Sequence, residues 1–98
     1  MQMEVLDELR KRIDEIDDQL LNMLARRQEV VRQVGEYKQQ HNIQVFDSKR
    51  EEYLYKFHKR LSAKYRLSFT FIKQLFELIM EESRRTQYKG INEQADNC

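Results

Sequence analysis

The chain has 98 residues, 18 of them basic and 17 acidic, for a formal charge of +1. That length is one small domain, and charges so evenly interleaved argue against nucleic acid as a partner. With no run of about eighteen apolar residues and no basic-then-apolar leader, neither a membrane span nor export is indicated, and a cytoplasmic location is expected. The only cysteine, Cys98, is the last residue, which excludes an intrachain disulfide and a cysteine-based metal cluster. Two glycines, no proline and strong helix formers throughout predict an all-α fold.

The first helix is predicted from about Met3 to Gln40, with an apolar stripe of Leu6, Leu9, Ile13, Ile16, Leu20, Leu24, Val31 and Val34. Gly35 lies inside it, at a cost of about 1 kcal/mol relative to alanine that this much pattern tolerates. His41 to Phe46 reads as a connection. Asp47 or Ser48 caps a second helix, with Glu51 placed for a capping box and Leu54, Phe57 and Leu61 as the apolar stripe, ending near Lys64. Ser68 or Thr70 starts a third helix that buries Phe71, Ile72, Leu75, Phe76, Ile79 and Met80 and runs to about Tyr88. Residues 1–88 thus form the helical domain, and 89–98 read as a polar, disordered tail.

A first helix of about 37 residues is about 55 Å long, whereas a compact chain of this size has a radius of gyration of about 13 Å. Two shorter helices cannot cover its whole stripe. The remaining apolar surface calls for a second copy of the chain, so an intertwined homodimer is expected.

The stripe of the first helix also runs over two cations, Arg27 and Lys38. Lys38 lies eleven residues beyond Arg27, which returns it to within about 20° of the same face, about 16 Å along the axis. A cation facing an interior needs an acidic side chain or an anionic ligand. Arg10 lies about 25 Å and about 100° away from Arg27, so it cannot serve the same pocket in one straight helix. In an antiparallel dimer, Arg10 of one chain reaches the pocket of the other.

The other helices repeat the pattern. Asp47, Arg50 and Glu51 share a face that extends the stripe of the second helix, and Ser83 and Gln87 end the stripe of the third. Arg10, Arg27, Lys38 and Arg50 outnumber Glu51 and Asp47, an excess that suits a small ligand with two negative groups. Forked arginine hydrogen bonds would hold its carboxylates, with Glu51 accepting from a hydroxyl and Gln87 and Ser83 as neutral donors. The competing reading is structural: Arg27 snorkels or pairs with Glu29 or Glu51, and Lys38 marks a frayed helix end. His41 and His58 have no metal-ligand spacing, and His58 reads as a surface or boundary residue, so no metal is expected. Tyr53, Tyr55, Phe57 and Tyr65 read as packing, and Ser83 lacks a histidine base.

The stretches LDELRKRIDEIDDQLLNMLARR, VGEYK, DSKREE and FELIMEESRRTQ, with Arg10, Arg27, Lys38, Asp47, Arg50, Glu51, Ser83 and Gln87 in that order, carry a resemblance over about Leu6 to Gln87. The chain resembles the all-helical chorismate mutase family, in particular the mutase domain of bifunctional chorismate mutase/prephenate dehydratases. The resemblance implies an interlocked dimer of three-helix chains and a pericyclic Claisen rearrangement of chorismate to prephenate, in phenylalanine and tyrosine biosynthesis. It implies that Arg27 and the partner chain's Arg10 bind the substrate carboxylates, and that Lys38 contacts a carboxylate and the ether oxygen. Gln87 would donate to that oxygen from the opposite side, Glu51 would take the ring hydroxyl, and Arg50, Asp47 and Ser83 would line the site. The reaction needs no proton transfer, and no cofactor is expected. The alternatives are an isochorismate-pyruvate lyase on a similar scaffold and a noncatalytic helical dimer that regulates an enzyme of the aromatic pathway.

Overall fold

The computed structural model of the chain describes residues 2–96, with side chains to Tyr88. Its secondary structure is three helices, α1 (Gln2–Gln40), α2 (Ser48–Lys64) and α3 (Phe69–Asp96), with no strand among the described residues. None of these helices is long and apolar enough to cross a membrane. The chain divides into two compact units, Met1–Val30 and Val31–Cys98.

The N-terminal unit is helical, and its apolar stripe lies open. Leu6, Leu9, Ile13, Ile16 and Leu20 are between 45% and 60% exposed in the single chain. The hydrophobic period therefore forms the helix without covering its apolar face.

In the C-terminal unit, α2 and α3 pack on each other. Leu54, Phe57 and Leu61 are half-buried as their spacing predicts, and Ile72 is buried. Phe71 and Leu75, expected in the core, are exposed in the single chain, because α2 meets only part of the apolar arc of α3. His58 departs further from expectation. It is buried, and its ring stacks on Phe76 with centroids 3.7 Å apart, since it falls on the Leu54–His58–Ser62 row that faces α3. Ser62 on that row is also buried, and its hydroxyl donates to the His58 carbonyl at 2.7 Å.

The helix ends follow local chemistry. Asp47 is the N-cap of α2, its Oδ1 accepting from the Arg50 amide at 3.0 Å. That makes Arg50 the third helical residue, so Glu51 sits one position too late for the capping box expected of it. Ser68 rather than Thr70 caps α3, with Oγ accepting from the Phe71 amide at 3.4 Å. At its other end α3 continues past Tyr88 to Asp96, in a stretch that contains no proline to stop it. The tail expected at 89–98 falls on residues whose side chains are outside the described part, and Cys98 lies outside it altogether.

After α2 the chain turns through Arg66, at φ 57°, while the Leu67 amide bonds back to the Ser62 carbonyl at 2.9 Å and the Arg66 amide to that of Ala63 at 3.3 Å. This is the paired bonding that closes a helix at a left-handed residue, a position where glycine escapes the Cβ clash that arginine bears. Arg66 is exposed. Arg66→Gly is expected to stabilise the protein by about 0.5–1 kcal/mol, allowing for the greater freedom glycine has in the unfolded chain. Urea denaturation at fixed protein concentration measures this, and a lower midpoint would contradict it.

Candidate active site

The site is built from the C-terminal unit upward, beginning where α1 ends. Asn42 takes a left-handed conformation, φ 55°, which asparagine tolerates better than most residues, and the Ile43 amide donates to the Lys38 carbonyl at 2.8 Å. The chain then runs to Val45, which is buried. Its carbonyl accepts a hydrogen bond from Lys38 Nζ at 2.8 Å. Lys38 is therefore no frayed terminal charge: the loop that follows it holds its ammonium. Three donors on that ammonium and one bond to Val45 leave two for a ligand.

Gln87 is buried on α3, 8% exposed. What seats it there is a glycine. A Cβ on Gly35 would stand 3.0 Å from the Gln87 Cα, 3.2 Å from its Cγ and 3.3 Å from its Cβ, tighter than side chains ordinarily pack. The nearest of these atoms is backbone, so no rotamer change relieves the contact. Gly35 is three residues before Lys38 on α1, close to one helical turn. The contact that seats Gln87 thus joins the polar end of α3 to the part of α1 that carries Lys38.

The Gln87 amide is incompletely satisfied. Its Nε2 donates to the Ser83 carbonyl at a long 3.4 Å, and its Oε1 is buried with no hydrogen-bond partner among the described residues. An amide so placed has bonding capacity to turn to a ligand, whereas left unused it costs about 1–3 kcal/mol. Ser83 is buried one turn earlier, and its Oγ donates to the Ile79 carbonyl at 2.8 Å.

At the start of α2, Asp47 and Arg50 are exposed, and the Arg50 guanidinium lies over the Tyr53 ring, 5.2 Å from its centroid. Glu51 is half-buried and forms an ion pair across to Arg84 of α3, with Arg84 Nη1 donating to Glu51 Oε1. Both residues line a groove of about 240 Å³ between the two helices, together with Tyr55, His58, Phe76 and Met80. Among the described residues no group of His, Cys, Asp and Glu is arranged to hold a metal ion.

Arg10 and Arg27 belong to the N-terminal unit, where Arg10 is exposed and Arg27 half-buried. Of the residues singled out by sequence, Lys38, Ser83, Gln87, Asp47, Arg50 and Glu51 all fall in the C-terminal unit. Three participants escaped the sequence reading. The Val45 carbonyl has no side-chain signature, and Gly35 registered only as a helix defect. Arg84 had a signal: it continues the Phe76, Met80 row at intervals of four, a cation on an apolar stripe like Arg27.

Comparison with known proteins supplies the context for this arrangement. The family described as chorismate mutase type II matches residues 9–88, a span that holds every candidate from Arg10 to Gln87. A chorismate mutase of Methanocaldococcus jannaschii is 31% identical over 90 residues, covering 92% of this chain and 91% of that protein. The bifunctional chorismate mutase/prephenate dehydratase of Buchnera aphidicola subsp. Schizaphis graminum is 36% identical over 83 residues, 85% of this chain but 22% of its own length. The T-protein of Haemophilus influenzae is 33% identical over 94 residues, 92% of this chain and 25% of its own length. The chain thus spans a quarter or less of these two longer relatives and nearly all of the first. With a match this complete, and with a lysine and a buried amide held by the two ends of a glycine-mediated helix contact, the chain belongs to the chorismate mutase type II family.

Proposed function

We propose that the chain rearranges chorismate to prephenate by binding the substrate folded and stabilising the charge that develops as it reacts. In this Claisen rearrangement the ether C–O bond breaks while a C–C bond forms, in one cyclic shift of electrons, and no group on the protein takes or gives a proton. The protein's contribution is then alignment and electrostatics.

Negative charge grows on the ether oxygen as its bond stretches. Lys38, with two ammonium donors left over from its bond to Val45, meets that oxygen and a carboxylate from one side. Gln87 Nε2 meets it from the other with the second of its two N–H donors, the first being held by the long bond to Ser83. Glu51 accepts from the ring hydroxyl, and Asp47, Arg50 and Ser83 line the pocket. Arg27, with Arg10 of the partner subunit, holds the carboxylates. The observation that carries this reading is the buried Gln87 amide, neutral and under-bonded, pressed against α1 one turn from Lys38.

The same reading includes a homodimer. Only Val45 and Ile72 are buried hydrophobic residues among those described in the single chain, and the open stripe from Leu6 to Leu20 is apolar surface that a second copy would cover. A cytoplasmic site of action is proposed with it.

Purified protein is expected to deplete chorismate and form prephenate, and Arg27→Ala to lower that rate at least about a hundredfold. Absorbance loss with product identification measures both. Salicylate and pyruvate formed from isochorismate, without prephenate from chorismate, would instead make the chain a lyase, and no turnover of either would favour a regulatory dimer.

A further inference from the structure

Arg84 has acidic neighbours on its own helix, yet it reaches across to α2. Glu81 and Glu82 are both taken by Arg85 on the exposed side of α3, while Arg84 pairs with Glu51 at the lip of the groove. Both members of that pair are about two-thirds covered, with side-chain exposures of 36% and 30%. A pair still about a third open to solvent adds little to stability, so its value lies in what it does to Glu51.

If Glu51 accepts the ring hydroxyl, it is a carboxylate placed beside a substrate that itself bears two carboxylates. Unpaired, it repels the ligand it is meant to orient. It is also a side chain with three rotatable torsions, which must be fixed before one oxygen can serve as a specific acceptor. Arg84 answers both problems. Its guanidinium offsets the Glu51 charge and holds Oε1, which leaves Oε2 to accept from a ligand.

We propose that Arg84 is a positioning residue that sets Glu51 to recognise the ring hydroxyl of the substrate. The assignment rests on the mutase reading above and deepens it: selectivity for a hydroxylated ring is a property of the Glu51–Arg84 pair.

The test compares chorismate with a chorismate analogue lacking the ring hydroxyl, using wild type, Arg84→Ala and Arg84→Lys. Wild type is expected to favour chorismate. In Arg84→Ala, kcat/KM for chorismate falls by at least about tenfold, mainly through KM, while the value for the analogue changes little, so that selectivity collapses. Arg84→Lys, which keeps the charge but not the fork, recovers part of the selectivity. Equal losses on both substrates would mean that Arg84 only supports the fold, and unchanged selectivity would mean that Glu51 needs no help; either overturns the proposal. Should Arg84→Ala fail to fold, the lysine variant decides by the same ratio. Wild type inert toward both compounds would instead sink the mutase reading itself, an outcome visible before any variant is made.

Discussion

Replacing Gln87 by glutamate is expected to confine activity to acid pH, and replacing it by alanine to lower kcat about 10²–10³-fold at every pH. The amide of Gln87 donates at any ordinary pH, so the wild-type profile should stay high through neutrality. Glutamate at the same place donates only when protonated. Ionised, it sets a negative charge against the oxygen on which negative charge is growing. Burial at this position favours the neutral acid and raises its pKa, and the Lys38 ammonium opposes that by favouring the carboxylate. The inflection reports the balance of the two, but the sign is fixed. Activity is present below the glutamate's pKa and falls about tenfold per unit above it. The pH dependence of kcat/KM measures this directly. A Gln87→Glu enzyme with the wild-type profile would remove Gln87 from the ether-oxygen role.

The second large effect tests the shared pocket. Arg10→Ala and Arg27→Ala proteins are each expected to lose nearly all activity, because in the proposed dimer each removes one carboxylate contact from both sites. Mixed and allowed to exchange subunits, they should recover about a quarter of the wild-type rate. About half of the dimers are then mixed, and in each of these one site has both arginines while the other has neither. Mass spectrometry of differently tagged subunits verifies the exchange. Proven exchange with no recovered activity would place Arg10 and Arg27 in the same subunit's site, or leave Arg10 outside it.

Much of the fold was legible in the sequence because helices are specified locally. The period of Leu6 to Val34 and the narrowing of the helix starts to Asp47 or Ser48 and to Ser68 or Thr70 each depend on neighbours within a few residues. The end of α3 lies at Asp96, beyond the expected Tyr88, and was not legible because the residues after Tyr88 are too polar to carry an apolar period that would mark them as helix. His58 was misplaced for a different reason. Histidine is ambivalent about burial, and only the presence of Phe76 opposite decides it.

The site was legible to the extent that it breaks the pattern. As candidates, Lys38, Ser83 and Gln87 stand out because polar groups occupy places where apolar ones are due. Arg84 obeys the same rule and was passed over beside Arg85, since adjacent arginines on a helix look alike until one is seen to turn inward to Glu51 and the other outward to Glu81 and Glu82.

By itself the sequence determined the three helices, a choice of two residues for the start of α2 and of α3, and the positions at which polar chemistry interrupts the apolar stripes, all of which follow from spacing along one chain. It also determined the family, through the order of those positions. Only the tertiary structure decided which groups meet: Lys38 with the Val45 carbonyl, Gly35 with Gln87, and Glu51 with Arg84. The physical reason is that periodicity fixes the face on which a residue lies, whereas a hydrogen bond or a close backbone approach depends on the separation and register of two elements. A glycine that looked like a flaw in a helix is the clearest case, since the backbone it must clear lies on another helix.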